Sequence, residues 1–174
     1  MKLTVITPVI RKNNLYAIAP TILNKVDWLC VFDDAVPANL PNNCNGIAIP
    51  TVKSNWGVAK VNAALRVVKD GFIYVLDDDT ILHKNFWMIV YMRSKFDFIH
   101  FNQTFRNGTK RTGGIVKKGE IDIGNFVVSR ELIGDTYLKE DDSMPDGIWA
   151  EELFAKSKNS LYLNETFSIY NYLR

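Results

Sequence analysis

Cysteine and histidine are scarce in this chain of 174 residues, with two of each. Cys30 and Cys44 follow no ligand spacing, which excludes a thiolate zinc site and a disulfide framework and favours a reducing, cytoplasmic setting. Cys30 sits inside the apolar run "WLCVF", where a thiol behaves as a small hydrophobe. No apolar run approaches the ~18 residues needed to cross a bilayer. The opening "MKLTVITPVI" has no arginine-rich lead-in and no small-residue cleavage site, so it reads as a strand rather than a signal peptide. There is no internal repeat, no low-complexity segment and no long basic run. With Lys+Arg 21 against Asp+Glu 19, the net charge is +2, which gives no support to sequence-independent binding of nucleic acid. The short pairs Lys110-Arg111 and Lys117-Lys118 read as solvated loop.

What is present is a core. Apolar residues make up 47% of the chain and aromatics 12%, enough for one domain spanning residues 1–174. "LTVITPV" reads as a first strand, and Asn13 to Leu23 as a helix that Pro20 shortens. Trp28 to Phe32 is a second strand and "GIAIPTV" a third. Val58, Val61, Leu65 and Val68 recur at helical spacing, and Gly71 is the expected stop. "FIYVL" is uniformly apolar, as a strand buried on both faces should be. This alternation predicts an α/β fold with a mostly parallel central sheet flanked by helices. Further on, Asn85 to Ser94 reads as a helix and "FDFIHFNQTF" as a strand. In "RNGT", Asn-Gly supplies the positive φ angles of a hairpin turn. "IDIGNFVVSR" is strand-like, Ser129 caps a short helix, Pro145 to Lys156 is helical, and "SLYLNETFSIYNYLR" is an aromatic strand. The later segments predict a small mixed or antiparallel C-terminal part.

The chemistry-bearing feature is "FIYVLDDDT". Asp77, Asp78 and Asp79 follow a buried strand directly, and Asp33-Asp34 end the second predicted strand. In open α/β sheets ligands sit beyond the carboxyl ends of the strands. A group of acids there needs a cation to stay ionised and dry. Carboxylate oxygens suit Mg²⁺ or Mn²⁺, which bind through one or two carboxylates and substrate phosphates.

At these residues the chain resembles the GT-A glycosyltransferases, nucleotide-sugar-dependent enzymes with a metal-binding Asp-x-Asp motif. "VITPVIR" is similar to their first strand and nucleotide-facing turn. "DWLCVFDDA" resembles their second strand, and "SNWGVAKVNAALRVVKDGFIYVLDDDT" the helix and strand leading to the metal motif. "IDIGNFVVSREL" and "PDGIWAEELF" resemble the acceptor side of the inverting branch. The resemblance implies a single Rossmann-like domain, residues 1–80 holding the nucleotide and 81–174 the acceptor. It implies transfer of a sugar from a UDP- or GDP-sugar to a carbohydrate or other hydroxyl, with inversion and with Mn²⁺ or Mg²⁺. Carried over by position, Thr7, Pro8, Arg11, Asp33 and Lys60 meet the nucleotide. Asp77 or Asp78 meets the ribose, and Asp77 and Asp79 hold the metal. Asp146 is the first candidate for the base that deprotonates the acceptor, followed by Glu151, Asp122 and Glu152. A helix N-terminus at Asp146 is expected to hold its carboxylate ionised. Trp149 is a candidate sugar platform and Trp56 lies near the donor.

The chain departs from the pattern in having only His83 and His100, neither placed as a late metal ligand. Asn171, water or substrate is left to complete the shell. Two other readings use the same residues. A haloacid-dehalogenase-like phosphatase also has a strand followed by Asp-x-Asp, but near its N-terminus, whereas here 76 residues precede it. A non-catalytic nucleotide-sugar or carbohydrate-binding module would keep the fold without turnover.

Overall fold

The computed structural model describes residues 2–51, 57–89 and 95–174. β1 (Leu3–Pro8) is buried along its whole length. It pairs in parallel with β2 (Asp27–Asp33), which pairs in parallel with β3 (Cys44–Ile49). On the other flank of β1 lies β4 (Phe72–Val75), again parallel and buried on both faces. The short α1 (Leu15–Ile18) and the ten-residue α2 (Val58–Val67) belong to this half.

Beyond β4 the sheet continues without a break. β5 (Ile81–Leu82) forms the far edge. β6 (Phe98–Phe105) carries the two-residue β7 (Lys110–Arg111), and β8 (Phe126–Ser129) lies between β6 and β4, antiparallel to both. α3 (Arg130–Ile133) and α4 (Pro145–Lys156) follow. β9 (Ser160–Tyr170) then returns parallel to β6 and pairs with β5. The order is β3-β2-β1-β4-β8-β6-β9-β5, with β7 on β6. Strands β1 to β4, β6 and β9 share one direction, and β5, β7 and β8 oppose it. The sheet is therefore mostly parallel in an α/β fold, as predicted, and every antiparallel pairing involves the strands after β4, which extend the same sheet into a mixed C-terminal part.

Alternation along the strands divides the core in two. Val5, Trp28, Tyr74 and Phe101 face α1 and the turn around Phe86. Ile6, Val31, Val75 and Phe98 face α2 and α4, where Leu65, Trp149 and Leu153 are buried. On this second face the carboxyl ends of β1 and β4 open into a cleft between the N-terminal turns of α2 and α4.

Several local expectations change. The segment 13–23 is not one helix: α1 has four residues between 3₁₀ turns at Lys12–Asn14 and Ala19–Thr21. Pro20, in the second turn, has no N–H to continue the ladder. α2 stops at Val67, before Gly71. Gly71 instead turns the chain into β4 at φ +85, where a Cβ would stand 2.5 Å from the Lys2 carbonyl oxygen. The predicted helix at Asn85 to Ser94 is a 3₁₀ turn over Lys84–Met88, its remaining part lying outside the described residues. In the β6–β7 hairpin only Gly108 has positive φ. Asn107 uses its side chain, Oδ1 accepting from the Thr109 N–H at 2.9 Å. Ser129 does cap α3, accepting from Leu132 N–H at 3.1 Å.

Candidate active site

The acidic triplet follows β4, whose pairing is prolonged by a Leu76 N–H bond to the Ile6 carbonyl at 2.8 Å. A turn then closes with the Thr80 N–H on the Asp77 carbonyl. This turn fixes three neighbouring carboxylates in three different settings.

Asp78 is buried and faces the turn after β1. Its carboxylate accepts from the Ile10 N–H at 2.6 Å, from the Arg11 N–H, and from Arg11 Nη1 at 2.8 Å. Both oxygens are taken by the protein, so Asp78 fastens the β1 turn. Asp79 is equally buried. Its Oδ2 accepts from Arg174 Nε at 2.7 Å and from Arg11 Nη1 at 3.2 Å. Asp77 has no cation beside it among the described residues. Burial first, and then the charges of Asp122, Asp146, Asp79 and Asp78, raise its carboxyl well above the ordinary range.

Asp77 and Asp79 open into a cavity of about 360 Å³ that also takes in Asp122, Asp146, Arg11, Arg111 and Arg174. Asp122 starts a capped 3₁₀ turn, accepting from Gly124 N–H at 3.1 Å, while the Asn125 side chain accepts from Asp122 N–H at 3.2 Å. Arg111 meets Asp122 at 3.0 Å. Its guanidinium also lies 4.7 Å from the centre of the Tyr170 ring, within cation–π range. Asp146 stands in the first turn of α4, behind Met144 as N-cap and Pro145. The helix end is expected to hold this carboxylate ionised, and burial overrides it. Desolvation and the Asp122 charge push its pKa up to about 7, against the pull of the Ile123 N–H and Arg111.

Other expected site residues stand elsewhere. Pro8 and Arg11 line the cavity, but Thr7 does not. Thr7 is fully buried, and its hydroxyl accepts from the Trp28 indole N–H at 3.0 Å. Lys60 is buried and donates to Asp33 at 2.7 Å and to the Val9 carbonyl at 2.8 Å. Asp33 and Lys60 therefore face each other at the end of β2, off the cavity wall. Glu151 and Glu152 are off the wall as well, and Glu152 is paired with Lys139. Trp149 is no sugar platform: it is buried under the sheet, its indole N–H on the Thr136 carbonyl at 3.0 Å. Trp56 lies outside the described residues. His100 is buried in β6 with Nδ1 2.7 Å from the Gly113 carbonyl, and His83 caps the turn at Lys84–Met88. Asn171 has a buried Oδ1 without a partner among the described residues but is not on the cavity wall.

Sequence reasoning does not find Arg111, Tyr170 and Arg174. Arg111 reads as solvated loop, yet it is half-buried and paired inside the cavity. Its signal is the uneven charge between residues 106 and 118, where basic side chains stand without acidic neighbours in sequence.

The carboxylates fit a divalent ion in part. Asp79 Oδ2 already draws two guanidinium groups, so its position selects positive charge. Among the described residues no three His, Cys, Asp or Glu side chains form a complete metal cage. The donor set suits an ion that takes one or two carboxylates and completes its shell with phosphate and water.

No family model and no curated protein matches the chain. Solved structures do. S. aureus TarS 1–349 superposes with a TM-score of 0.75 at 14% identity, over 97% of this chain and 60% of that one. The same protein in complex with UDP-GlcNAc gives 0.72 at 14% identity, covering 97% and 58%. The mannosyltransferase PcManGT from Pyrobaculum calidifontis, in complex with GDP-Man and Mn²⁺, gives 0.70 at 12% identity, covering 97% and 56%. The chain thus has the fold of these nucleotide-sugar-binding proteins and spans little more than half the length of each. Among the described residues no helix is long and apolar enough to cross a membrane.

Proposed function

We propose that this protein is a glycosyltransferase that moves a sugar from a UDP- or GDP-sugar to an acceptor hydroxyl, with inversion and with the help of a divalent ion. The observation that carries the reading is the shared cavity. Asp77 and Asp79 open into it after β4, and Asp146 faces the same cavity from the first turn of α4, with its pKa raised to about 7. A carboxylate near that value is half ionised at neutral pH and takes a proton more readily than an ordinary one, which suits a general base.

In this reading residues 1–80 hold the nucleotide and 81–174 the acceptor. Pro8 and Arg11 meet the donor, and the Asp33–Lys60 pair lies on the side of its base. Asp77 and Asp79 would hold Mn²⁺ or Mg²⁺, which when bound supplies positive charge against a departing diphosphate. Asp146 receives the proton of the attacking hydroxyl. Asp122, held by Arg111 and the Gly124 N–H, stands beside Asp146 and helps to raise the basicity of that group. Inversion needs only this one carboxylate on the acceptor face. Glu151, off the cavity wall, is a weaker candidate.

The test combines binding and turnover. Melting temperatures are measured with UDP, GDP, CDP and dTDP, each with Mn²⁺ or EDTA, since a ligand specific for the folded state raises the midpoint. Hydrolysis of the matching nucleotide sugars is followed in parallel. The reading expects an Mn²⁺-dependent shift with one diphosphate, lost in Asp79→Ala, and slow donor hydrolysis. Absence of any shift at millimolar ligand would refute it. A shift without hydrolysis, and without transfer to a panel of glycoside and polyol acceptors, would mark a binding module instead.

A further inference from the structure

Resting on the glycosyltransferase reading, we propose that Arg174 is a positioning residue with two alternating partners. It holds Asp79 in the ligand-free protein and the donor's diphosphate once Asp79 is engaged by a divalent ion.

The argument starts from the unequal hold of two arginines on one carboxylate. Asp79 is only 2% exposed, and its Oδ2 faces both Arg11 and Arg174. Arg11 has a second anchor, because its Nη1 also meets Asp78 at 2.8 Å and its backbone N–H is bound to the same carboxylate. Arg174 has none. It reaches Asp79 through Nε alone, and its terminal nitrogens find no acceptor among the described residues. A change of partner at Asp79 therefore releases Arg174 and leaves Arg11 in place.

Two further observations give the released group its second partner. Arg174 lines the same cavity as Asp77 and Asp146, and its side chain is 48% exposed, so it can swing without unpacking the core. A guanidinium is a flat fork of donors that matches two phosphate oxygens at once, and here the outer part of the fork is unused. Charge points the same way. The cavity brings five carboxylates, Asp77, Asp78, Asp79, Asp122 and Asp146, against three arginines. All three arginines are paired with a carboxylate, so an incoming diphosphate needs the one whose partner a divalent ion at Asp79 would take over. Arg111 is held by Asp122 and Arg11 by Asp78, which leaves Arg174.

The experiment measures Mn²⁺ binding by electron paramagnetic resonance for the wild type, Arg174→Ala and Arg174→Lys. It then measures UDP and GDP binding in saturating Mn²⁺ by calorimetry. Removing a competitor and a ligand in one substitution should move the two affinities in opposite directions. Arg174→Ala is expected to bind Mn²⁺ alone several-fold more tightly and the diphosphate about tenfold more weakly, the loss of one charge-assisted contact. Arg174→Lys keeps the competing charge without the fork, so it should restore wild-type Mn²⁺ affinity and only part of the diphosphate affinity. If both affinities fall together, Arg174 merely supports Asp79 and the proposal fails. Unchanged affinities overturn it as well. A wild type that binds neither Mn²⁺ nor any diphosphate defeats the glycosyltransferase reading itself, and this proposal with it.

Discussion

Replacing Asp146 by Asn should stabilise the protein in mildly alkaline buffer while removing the proposed turnover. The wild-type carboxyl titrates near 7 in the folded chain against an ordinary 3.8. Between those two values the folded state keeps a proton that the unfolded state gives up. Stability then falls as pH rises, at about 1.4 kcal/mol per unit, because the folded state binds more protons. The contribution is fully present below pH 3.8 and lost as pH climbs through 7. Taken from pH 5 to pH 8, the loss from this one group is about 3 kcal/mol.

The side-chain amide of the Asp146→Asn variant does not titrate, so the variant should lack that slope. Relative to pH 5, its advantage at pH 8 grows by about 3 kcal/mol. For a chain of this length that is a rise of roughly 5–10 °C in melting temperature. Relief of the neighbouring Asp77, raised partly by the Asp146 charge, acts in the same direction. Urea titrations of both proteins at pH 5, 6, 7 and 8 read the difference directly, and donor turnover should drop by about 10²–10⁴-fold, the usual contribution of a general base. Parallel pH slopes for the two proteins would show that Asp146 titrates normally and that the cavity does not desolvate it. A loss of stability equal at every pH would reduce Asp146 to a helix-end charge.

Two further outcomes concern local packing. Asn62 is buried and holds both backbone groups of Leu138, donating to its carbonyl at 2.9 Å and accepting from its N–H at 3.0 Å. Asn62→Ala should cost about 2–4 kcal/mol by leaving two buried groups unpaired, read as a lower urea midpoint at unchanged m value; a loss under about 0.5 kcal/mol would contradict it. A Cβ on Gly113 would fall 2.0 Å from the Phe101 carbonyl oxygen, whereas one on Gly108 would meet nothing. Thermal melts should therefore show Gly113→Ala much less stable than Gly108→Ala, whose cost of about 1 kcal/mol comes from positive φ alone; equal losses would refute the close approach.

Much of the first half is legible in the sequence because its signals are local. β1, β2 and β4 are runs of β-branched and aromatic residues, and the apolar spacing of Val58, Val61 and Leu65 marks α2. Tertiary context decides what is not legible. Pro20 is expected to shorten a helix, and the chain there in fact divides into three short turns. Trp149 reads as a sugar platform from its distance to Asp146, but tertiary packing buries its ring toward the sheet, where the Phe126 ring centre lies 5.6 Å away. The triplet is visible as a site, yet its division of labour is not. Which of three adjacent aspartates ties down the β1 turn depends on Arg11 and the Ile10 N–H, and these approach from 67 and 68 positions away. Arg174 escapes notice for the same reason, since its partner Asp79 lies 95 positions away.

The electrostatics of the cavity give a physical sense to the three aspartates. Five carboxylates within one partly dry space cannot all be charged and unpaired, and the protein's own groups meet the problem in two ways. Asp78, Asp79 and Asp122 each have a guanidinium within 3.2 Å. Asp77 and Asp146 have none among the described residues, and these are the two whose carboxyls are raised. A chain selected for stability alone would replace both by neutral residues, because each retains its carboxylate against a desolvation cost at neutral pH. Their positions differ in a way that suits two tasks. Asp77 stands beside Asp79, where added positive charge would relieve both. Asp146 stands at a helix end on another element, beside Asp122, where what relieves it is a proton. On the proposed reading, one wall of the cavity would take a cation and the other a hydrogen ion, the two needs of a reaction that expels a diphosphate and deprotonates a hydroxyl.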